Sequence, residues 1–201
     1  MTRSRWLLPL AALLLGSRAP AAAQLPSGYW LTVDAPPALG APRGDFQSGN
    51  VGAGDGAGFA GGAAVGRGPV GVYGEYQRIL FDCARCGELD LDDRLADTGW
   101  EAGLIVRGPA LALGIRPWIR GGVLRHQLVF AGQGGTTVSD GAMGPALGVG
   151  LRVPVYRFVE IVPAVTYQKY EAEFDFADDM LGTRGSDVSY LIYRLGLAVR
   201  L

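Results

Sequence analysis

Two cysteines, Cys83 and Cys86, stand in the stretch "CARC", and His126 is the single histidine of the 201-residue chain. A redox C-x-x-C needs a helix N-terminus in a thioredoxin-like setting to lower its thiol pKa. No helical pattern flanks these cysteines. Structural zinc takes about four ligands, more than the cysteines and the histidine supply. In an oxidising compartment the pair reads as a local disulfide between Cys83 and Cys86, which stiffens a loop. His126 could serve as the base that a nucleophilic serine needs. Its neighbours in "RHQLVF" include no serine, and Ser139 and Asp140 fall at the far end of the same expected loop. A solvated loop histidine is the plainer reading. Glu88, Asp90, Asp92 and Asp93 cluster in one expected loop, and Asp175, Asp178 and Asp179 in another. The first group departs from the calcium pattern D-x-D-x-D-G, because Arg94 and Leu95 follow. Solvated loop charge is the plainer reading here too, with weak divalent binding as its alternative. "GAGDGAG" at 52–58 lacks the Lys and the helix of a phosphate loop. The residues therefore point to no catalytic, cofactor-binding or metal site, and to a protein that is not an enzyme.

The elements that would position these residues are strands. Apolar residues alternate with polar or small ones in eight segments, and no long segment has helical period. The expected strands are 28–35, 54–66, 69–82, 95–107, 109–125, 141–153, 156–174 and 187–201. The tight connections are "RG" near 67–68, Gly108, and "PV" at 154–155. The long ones are 36–53, 83–94, 126–140 and 175–186. Short turns alternating with long loops are the layout of a transmembrane β-barrel. Both chain ends on the short-turn side require an even strand number, which is the reason to keep the weak first strand. The fold class read from this pattern is all-β, an eight-stranded antiparallel up-and-down transmembrane β-barrel.

The two faces of these strands differ in an informative way. Val70 and Val72 oppose Glu75 and Gln77; Trp100, Leu104 and Val106 oppose Glu101 and Gly103. Leu111, Leu113, Ile115 and Ile119 oppose Arg116 and Arg120. Leu147, Val149 and Leu151 oppose Arg152, and Val159, Ile161 and Val165 oppose Glu160, Thr166 and Gln168. A face that carries Glu and Arg in strand after strand suits a narrow lumen, and the apolar face suits lipid. Side chains nearly fill an eight-stranded barrel, so Glu75, Glu101 and Glu160 are expected to pair there with Arg116, Arg120 and Arg194. Trp118 shares the lumen parity. Pro117, Pro145 and Pro163 fall inside strands, where each removes a ladder donor, and bulges or register breaks are expected at them. Tyr29, Trp30 and Tyr156 are expected in an interface belt near one rim, and Phe81, Trp100, Tyr167 and Tyr193 near the other. A water-soluble barrel with an apolar interior is the alternative.

Arg3 and Arg5 precede the apolar run "WLLPLAALLL", and Ala21-Ala22-Ala23 offers a cleavage site before Gln24. This reads as a secretory signal peptide at 1–23, with an uncleaved anchor as the alternative, and a single domain at 24–201. Without Arg3, Arg5 and Arg18 the basic residues fall from 18 to 15 against 19 acids, a net charge of about −4. That balance argues against a nucleic-acid partner, since phosphate binding needs clustered positive charge. Gly reaches 32 and Pro 12, which suits a chain of many strands and turns.

With these features the chain resembles the small eight-stranded outer-membrane proteins of the OmpA, OmpX and OmpW kind. Their C-terminal assembly signal has a polar residue, Gly two positions later, and two hydrophobic residues. Arg194, Gly196, Val199 and Leu201 stand at those positions, with Leu201 where the family prefers Phe or Trp. The resemblance implies export to the outer membrane of a diderm bacterium and insertion by the barrel-assembly machinery. It implies a monomer among outer-membrane lipid and lipopolysaccharide, with a structural or surface-interaction role through four long extracellular loops. Three other roles stay open. One is a narrow channel for small or apolar solutes. Another is a lipid A-modifying enzyme built on His126, and the third is a soluble periplasmic lipocalin-like carrier.

Overall fold

The computed structural model of the protein describes residues 28–48, 52–83, 91–132, 135–175 and 183–200. Period-two patterning builds ten strands within them. They are β1 (Tyr29–Asp34), β2 (Pro37–Pro42), β3 (Ala53–Arg67), β4 (Val70–Cys83), β5 (Leu91–Arg107), β6 (Arg116–Gly132), β7 (Gly135–Val138), β8 (Ala142–Tyr156), β9 (Val159–Asp175) and β10 (Thr183–Arg200). A five-residue helix, α1 (Gly44–Ser48), follows β2. Each pairing is antiparallel, and β10 closes the sheet by bonding to β9 on one side and to β1 and β2 on the other. β1 and β2 share one place in the wall, since both lie between β3 and β10. β7 pairs with the end of β6 outside the main path. The wall is therefore a closed, eight-stranded antiparallel up-and-down barrel.

Several boundaries differ from the sequence reading. The first wall strand does not end at residue 35 but continues through β2. Asp34 pairs with Gly62 and Pro37 with Phe59 in one unbroken register, and the same holds from Asp34 with Ala198 to Ala38 with Arg194. The strand loses ladder bonds where Pro36 and Pro37 have no N–H to give, although the Pro36 carbonyl still accepts from the Ala60 N–H at 3.1 Å. The expected strand at 109–125 begins instead at Arg116. "PALALG" alternates, yet the Leu111 N–H donates to the Ile115 carbonyl at 2.7 Å and Ala112–Gly114 makes a 3-10 turn. Leu113 takes a φ of 60° there, an uncommon conformation for a residue with a side chain. Leu111, Leu113 and Ile115 thus belong to a connection, and Gly108 alone does not join the strands. Pro154 and Val155, expected as a turn, belong to β8, and Arg157 and Phe158 make the turn.

The bulges also fall elsewhere than expected. Register runs unshifted past Pro117 opposite Leu151, Pro145 opposite Val123, and Pro163 opposite Leu195. It shifts instead between Ala53 and Gly56, between Leu91 and Leu95, and between Pro154 and Tyr156. A proline on one strand removes one donor, which leaves the neighbouring ladder bonds to hold the register.

Alternation sorts the side chains as the sequence implies. Val70, Val72, Leu104, Ile119, Leu147, Val149, Leu195 and Leu197 stand exposed on the outer surface, and charged residues of the same strands are buried inside. This is the reverse of a water-soluble barrel and the pattern of a lipid-facing one. Strands β5, β6 and β9 have 17 residues each, well beyond the roughly 9–11 that cross a bilayer. Two expected belt residues are corrected: Trp30 and Phe81 are buried in the interior. Their parity, read from β1 and β4, points inward.

Candidate functional site

The interior is layered along the barrel axis. At the long-loop end lies an apolar layer of Ile79, Phe81, Leu95, Leu128, Val188 and Ile192. Helix α1 drops Phe46 into this layer, fully buried, edge-on to Phe81 at 5.3 Å and near Tyr190 at 6.1 Å. Two hydrogen bonds fix the helix entry: the Arg43 N–H donates to the Ser189 carbonyl at 2.8 Å, and the Ser189 side-chain hydroxyl donates to the Arg43 carbonyl at 3.0 Å. At the short-turn end lie Trp30, Ile105, Trp118, Val162 and Ala198.

Between the apolar layers sits a network of charged and polar groups drawn from five strands. Arg120 on β6 donates to both carboxylate oxygens of Glu75 on β4, at 3.0 and 3.1 Å, and reaches Glu101 on β5 at 3.2 Å. Arg194 on β10 pairs with Glu75 and donates to the Thr166 hydroxyl of β9 at 2.6 Å. Tyr73 donates to Glu101 at 2.5 Å, and the Gln168 amide donates to the other Glu101 oxygen at 2.6 Å. Burying a charge costs several kcal/mol unless it is paired and hydrogen-bonded. Here two carboxylates and two guanidiniums balance, and bidentate Arg–carboxylate geometry makes the strongest such contact. The network leaves a cavity of about 30 Å³ beside Asp34, Glu75, Arg120 and Arg194, room for a water or two.

The network continues toward the long loops. Gln77 and Gln168 exchange amide hydrogen bonds at 2.8 and 3.2 Å, and Gln77 donates to the Tyr190 hydroxyl at 2.9 Å. Tyr190 and Tyr170 both donate to one Asp97 oxygen, at 2.6 and 2.7 Å, and His126 Nδ1 lies 2.8 Å from the other. His126 is thus no solvated loop residue; it is buried in the lumen on β6. The correction follows from the later end of β6, which runs on through "RHQLVF" to Gly132. Its ring fills the space left by Gly99, where a Cβ would come within 2.2 Å of it. Among the described residues His126 Nε2 has no hydrogen-bond partner. Ser139 does not join His126: its hydroxyl accepts from the Leu128 N–H at 2.8 Å and donates to the Asp140 carbonyl at 3.2 Å.

Toward the short turns, Arg152 donates to Glu160 at 3.1 Å and to the Thr32 hydroxyl at 3.1 Å. Arg107 reaches the same hydroxyl at 3.4 Å and stacks 3.2 Å above the Trp30 ring. Arg116 lies apart from the central charges, at the rim of a recess of about 670 Å³ that Tyr29, Trp30 and Arg107 also line. Asp97, His126 and Arg107 were not among the expected lumen charges, and Arg152, on the expected lumen face, was not among the expected pairs. A signal for Asp97 existed, since it shares the parity of Glu101 two turns of the pleat away.

The remaining candidates are placed as follows. Gly196 packs against Pro36, whose ring lies within 2.5 Å of where a Cβ would stand. Val199 points outward and Arg194 inward; Leu201 lies outside the described residues. Cys83 is buried and is not a free thiol, and Cys86 lies outside the described residues. Glu88, Asp90, Asp178 and Asp179 lie outside them as well. No group of three or more His, Cys, Asp or Glu among the described residues is arranged to hold a metal ion.

No family model matches the chain, and no curated protein matches it. Solved structures do. Neisserial surface protein A is similar over 86% of this chain and 97% of its own, with a TM-score of 0.57 at 14% identity. Ail, the attachment invasion locus protein of Yersinia pestis, is similar over 86% and 98%, with a TM-score of 0.55 at 16% identity. The outer membrane protein AlkL, solved in lipid bilayers, is similar over 93% and 97%, with a TM-score of 0.55 at 18% identity. With the closed wall and the inverted faces, these likenesses identify the fold as that of the small eight-stranded outer-membrane β-barrels.

Proposed function

We propose that this protein is exported through a cleaved signal peptide, inserted into the outer membrane by the barrel-assembly machinery, and serves there as a monomeric, non-enzymatic structural and surface-interaction protein. The carrying observation is the wall beyond the lipid-facing band. Past Phe59, Trp100 and Tyr167 the outward positions turn mainly polar, with Arg78, Asp82, Arg125, Gln127, Lys169, Glu171 and Glu173 all exposed and Leu80 an apolar exception. That stretch, with the connections it carries, stands in water at the cell surface and offers polar contacts to a partner. A disulfide between Cys83 and Cys86 would brace one of these connections. The names of two similar structures, a surface protein and an attachment protein, agree with this role. The filled lumen speaks against bulk conduction. The test joins two measurements. Outer-membrane fractions should give a heat-modifiable band whose processed chain begins at Gln24, and the purified barrel should be silent in planar bilayers. Steady single-channel steps would overturn the reading.

One observation favours a second reading, passage of small or apolar solutes. The wall lacks ladder bonds at Pro36 and Pro37, beside the small cavity over Asp34 and Glu75. Uptake of an apolar solute into vesicles that carry the barrel, lost when β2 is locked to β10 by an engineered disulfide, would establish it over the first.

A further inference from the structure

We infer that the short-turn mouth of the lumen binds a small, water-soluble organic phosphate, with Arg116 and Arg107 as its phosphate ligands. That this mouth opens on the periplasm rests on the outer-membrane reading above; the binding itself rests on the geometry of the mouth.

The short-turn end is basic, against the balance of the chain. Residues 28–33, 62–74, 102–119 and 150–163 hold Arg67, Arg107, Arg116, Arg152 and Arg157 and one acid, Glu160. Arg152 takes that acid at 3.1 Å. Arg116 stands directly opposite Arg152 in the register of β6 and β8, and like charges opposite one another on a sheet repel. Among the described residues no carboxylate pairs with Arg116. Its half-buried guanidinium therefore gains from an anion that comes from outside the chain.

The recess beside Arg116 is firmly framed. It holds about 670 Å³, in the range of small-molecule sites. The Trp30 indole N–H donates to the Gly68 carbonyl at 3.0 Å. The Trp30 ring lies on the bare backbones of Gly66 and Gly71, where a Cβ would come within 2.4 and 2.5 Å of it. Arg107 stacks on this ring, its guanidinium carbon 3.2 Å from the ring centre. Three backbone bonds tie the surrounding turns: the Arg107 N–H to the Pro69 carbonyl at 2.7 Å, the Gly68 N–H to the Gly28 carbonyl at 2.9 Å, and the Gly108 N–H to the Pro117 carbonyl at 2.8 Å. The Arg107 guanidinium is thus oriented before a ligand arrives, which lowers the ordering cost of binding.

The chemistry of the lining selects the ligand. A guanidinium fork matches phosphate oxygens in a bidentate way. A phosphate monoester carries close to two negative charges at neutral pH and three terminal oxygens, enough for two arginines; a single carboxylate carries one charge and two oxygens. The rest of the lining is apolar, from Tyr29, Pro69, Pro109 and Ala110. Tyr29 is 44% exposed, with the Arg67 guanidinium 5.3 Å from its ring centre. These walls offer contact to an organic body that inorganic phosphate lacks. The excess of arginines at this end draws anions toward the mouth.

The test is isothermal titration calorimetry on the full folded barrel in neutral detergent, with phenyl phosphate, inorganic phosphate and benzoate as probes. Phenyl phosphate should bind tightest, with the other two each about tenfold weaker or more. Arg116→Gln should weaken phenyl phosphate about tenfold. Arg107→Lys keeps the charge and loses the planar fork, and should weaken it about threefold or more. Arg157→Gln, in the turn after β8 and outside the recess, should change affinity by less than about twofold. A loss in Arg157→Gln equal to that in Arg116→Gln would mean that the field alone attracts the anion, and would overturn the site. Benzoate as tight as phenyl phosphate would overturn the phosphate assignment, and inorganic phosphate as tight would overturn the organic body. Each variant is first shown to keep its heat-modifiable band. A chain with no such band in membranes would sink the outer-membrane reading itself, whereas a folded barrel that fails to bind phenyl phosphate sinks this inference alone.

Discussion

Replacing Glu75 with Gln removes the carboxylate that both central arginines hold. The change keeps the shape of the side chain, so its effect reports charge. Glu75 accepts two hydrogen bonds from Arg120 and an ion pair from Arg194, with Glu101 the second carboxylate of the group. Glu75, Glu101, Arg120 and Arg194 balance as a group of four; the variant leaves two buried guanidiniums on one carboxylate, with Asp34 the next acid beside the cavity. Breaking a buried pair by removing one partner costs about 3–5 kcal/mol. Urea unfolding of the barrel in phospholipid vesicles, followed by its heat-modifiable band, should show a loss of that size. That is a shift of more than about 100-fold in the folding equilibrium. A second variant sharpens the test. Adding Arg194→Met to Glu75→Gln restores neutrality and should recover about 2 kcal/mol or more relative to the sum of the single losses. A Glu75→Gln loss below about 1 kcal/mol, or strict additivity in the cycle, would refute the view that charge balance holds this layer.

Gly99→Ala places a Cβ 2.2 Å from the His126 ring and 2.3 Å from the Arg125 carbonyl oxygen, a backbone atom that cannot step aside. It should cost about 1–3 kcal/mol in the same unfolding assay. Phe46→Ala empties a fully buried site in the apolar layer and should lower stability by about 3 kcal/mol. The variant should nonetheless stay silent in planar bilayers, because the charge layer beneath still fills the lumen; conducting steps would show that Phe46 alone occludes it. His126→Ala should leave the lipid A mass profile of a complemented deletion strain unchanged while destabilising the barrel by about 1–3 kcal/mol through the unpaired Asp97 oxygen. A changed profile would restore the enzyme reading.

Parts of the site were legible because a strand's two faces follow from its period alone. Glu75, Glu101 and Arg120 fall on the inward parity of strands whose outward parity is Val, Leu and Ile, and no tertiary information is needed to sort them. His126 was missed for a related reason. "PALALG" alternates like a strand until a 3-10 turn at Ala112–Gly114 takes it out of the wall, so the expected strand ends at 125. β6 runs from Arg116 to Gly132 instead, and His126 keeps the inward parity of Trp118 and Arg120. Trp30 and Phe81 failed differently: aromatic residues near strand ends suit either a belt or a lumen cap, and parity had to outweigh position. The first strand, expected over 28–35, continues past Pro36 and Pro37 although each lacks a ladder donor. The barrel keeps the strand because register on both neighbours is held by the residues around them.

By itself, then, the sequence determined the number of wall strands, their antiparallel order and the inversion of polar and apolar faces, whereas the short turn it implied at Gly108 is a connection that runs over 108–115. Strand number, order and face inversion are local properties of period two and of turn residues. Only the tertiary structure decided which charges meet. Glu75 and Arg120 are 45 residues apart, Gln77 and Tyr190 113, and Arg152 and Thr32 120. Whether such residues share a layer depends on the stagger between every pair of neighbouring strands summed around the closed wall. A shift of one register at any seam moves one partner along the axis and leaves the other charge unpaired. Closure fixes that sum, and no single segment of the chain contains it.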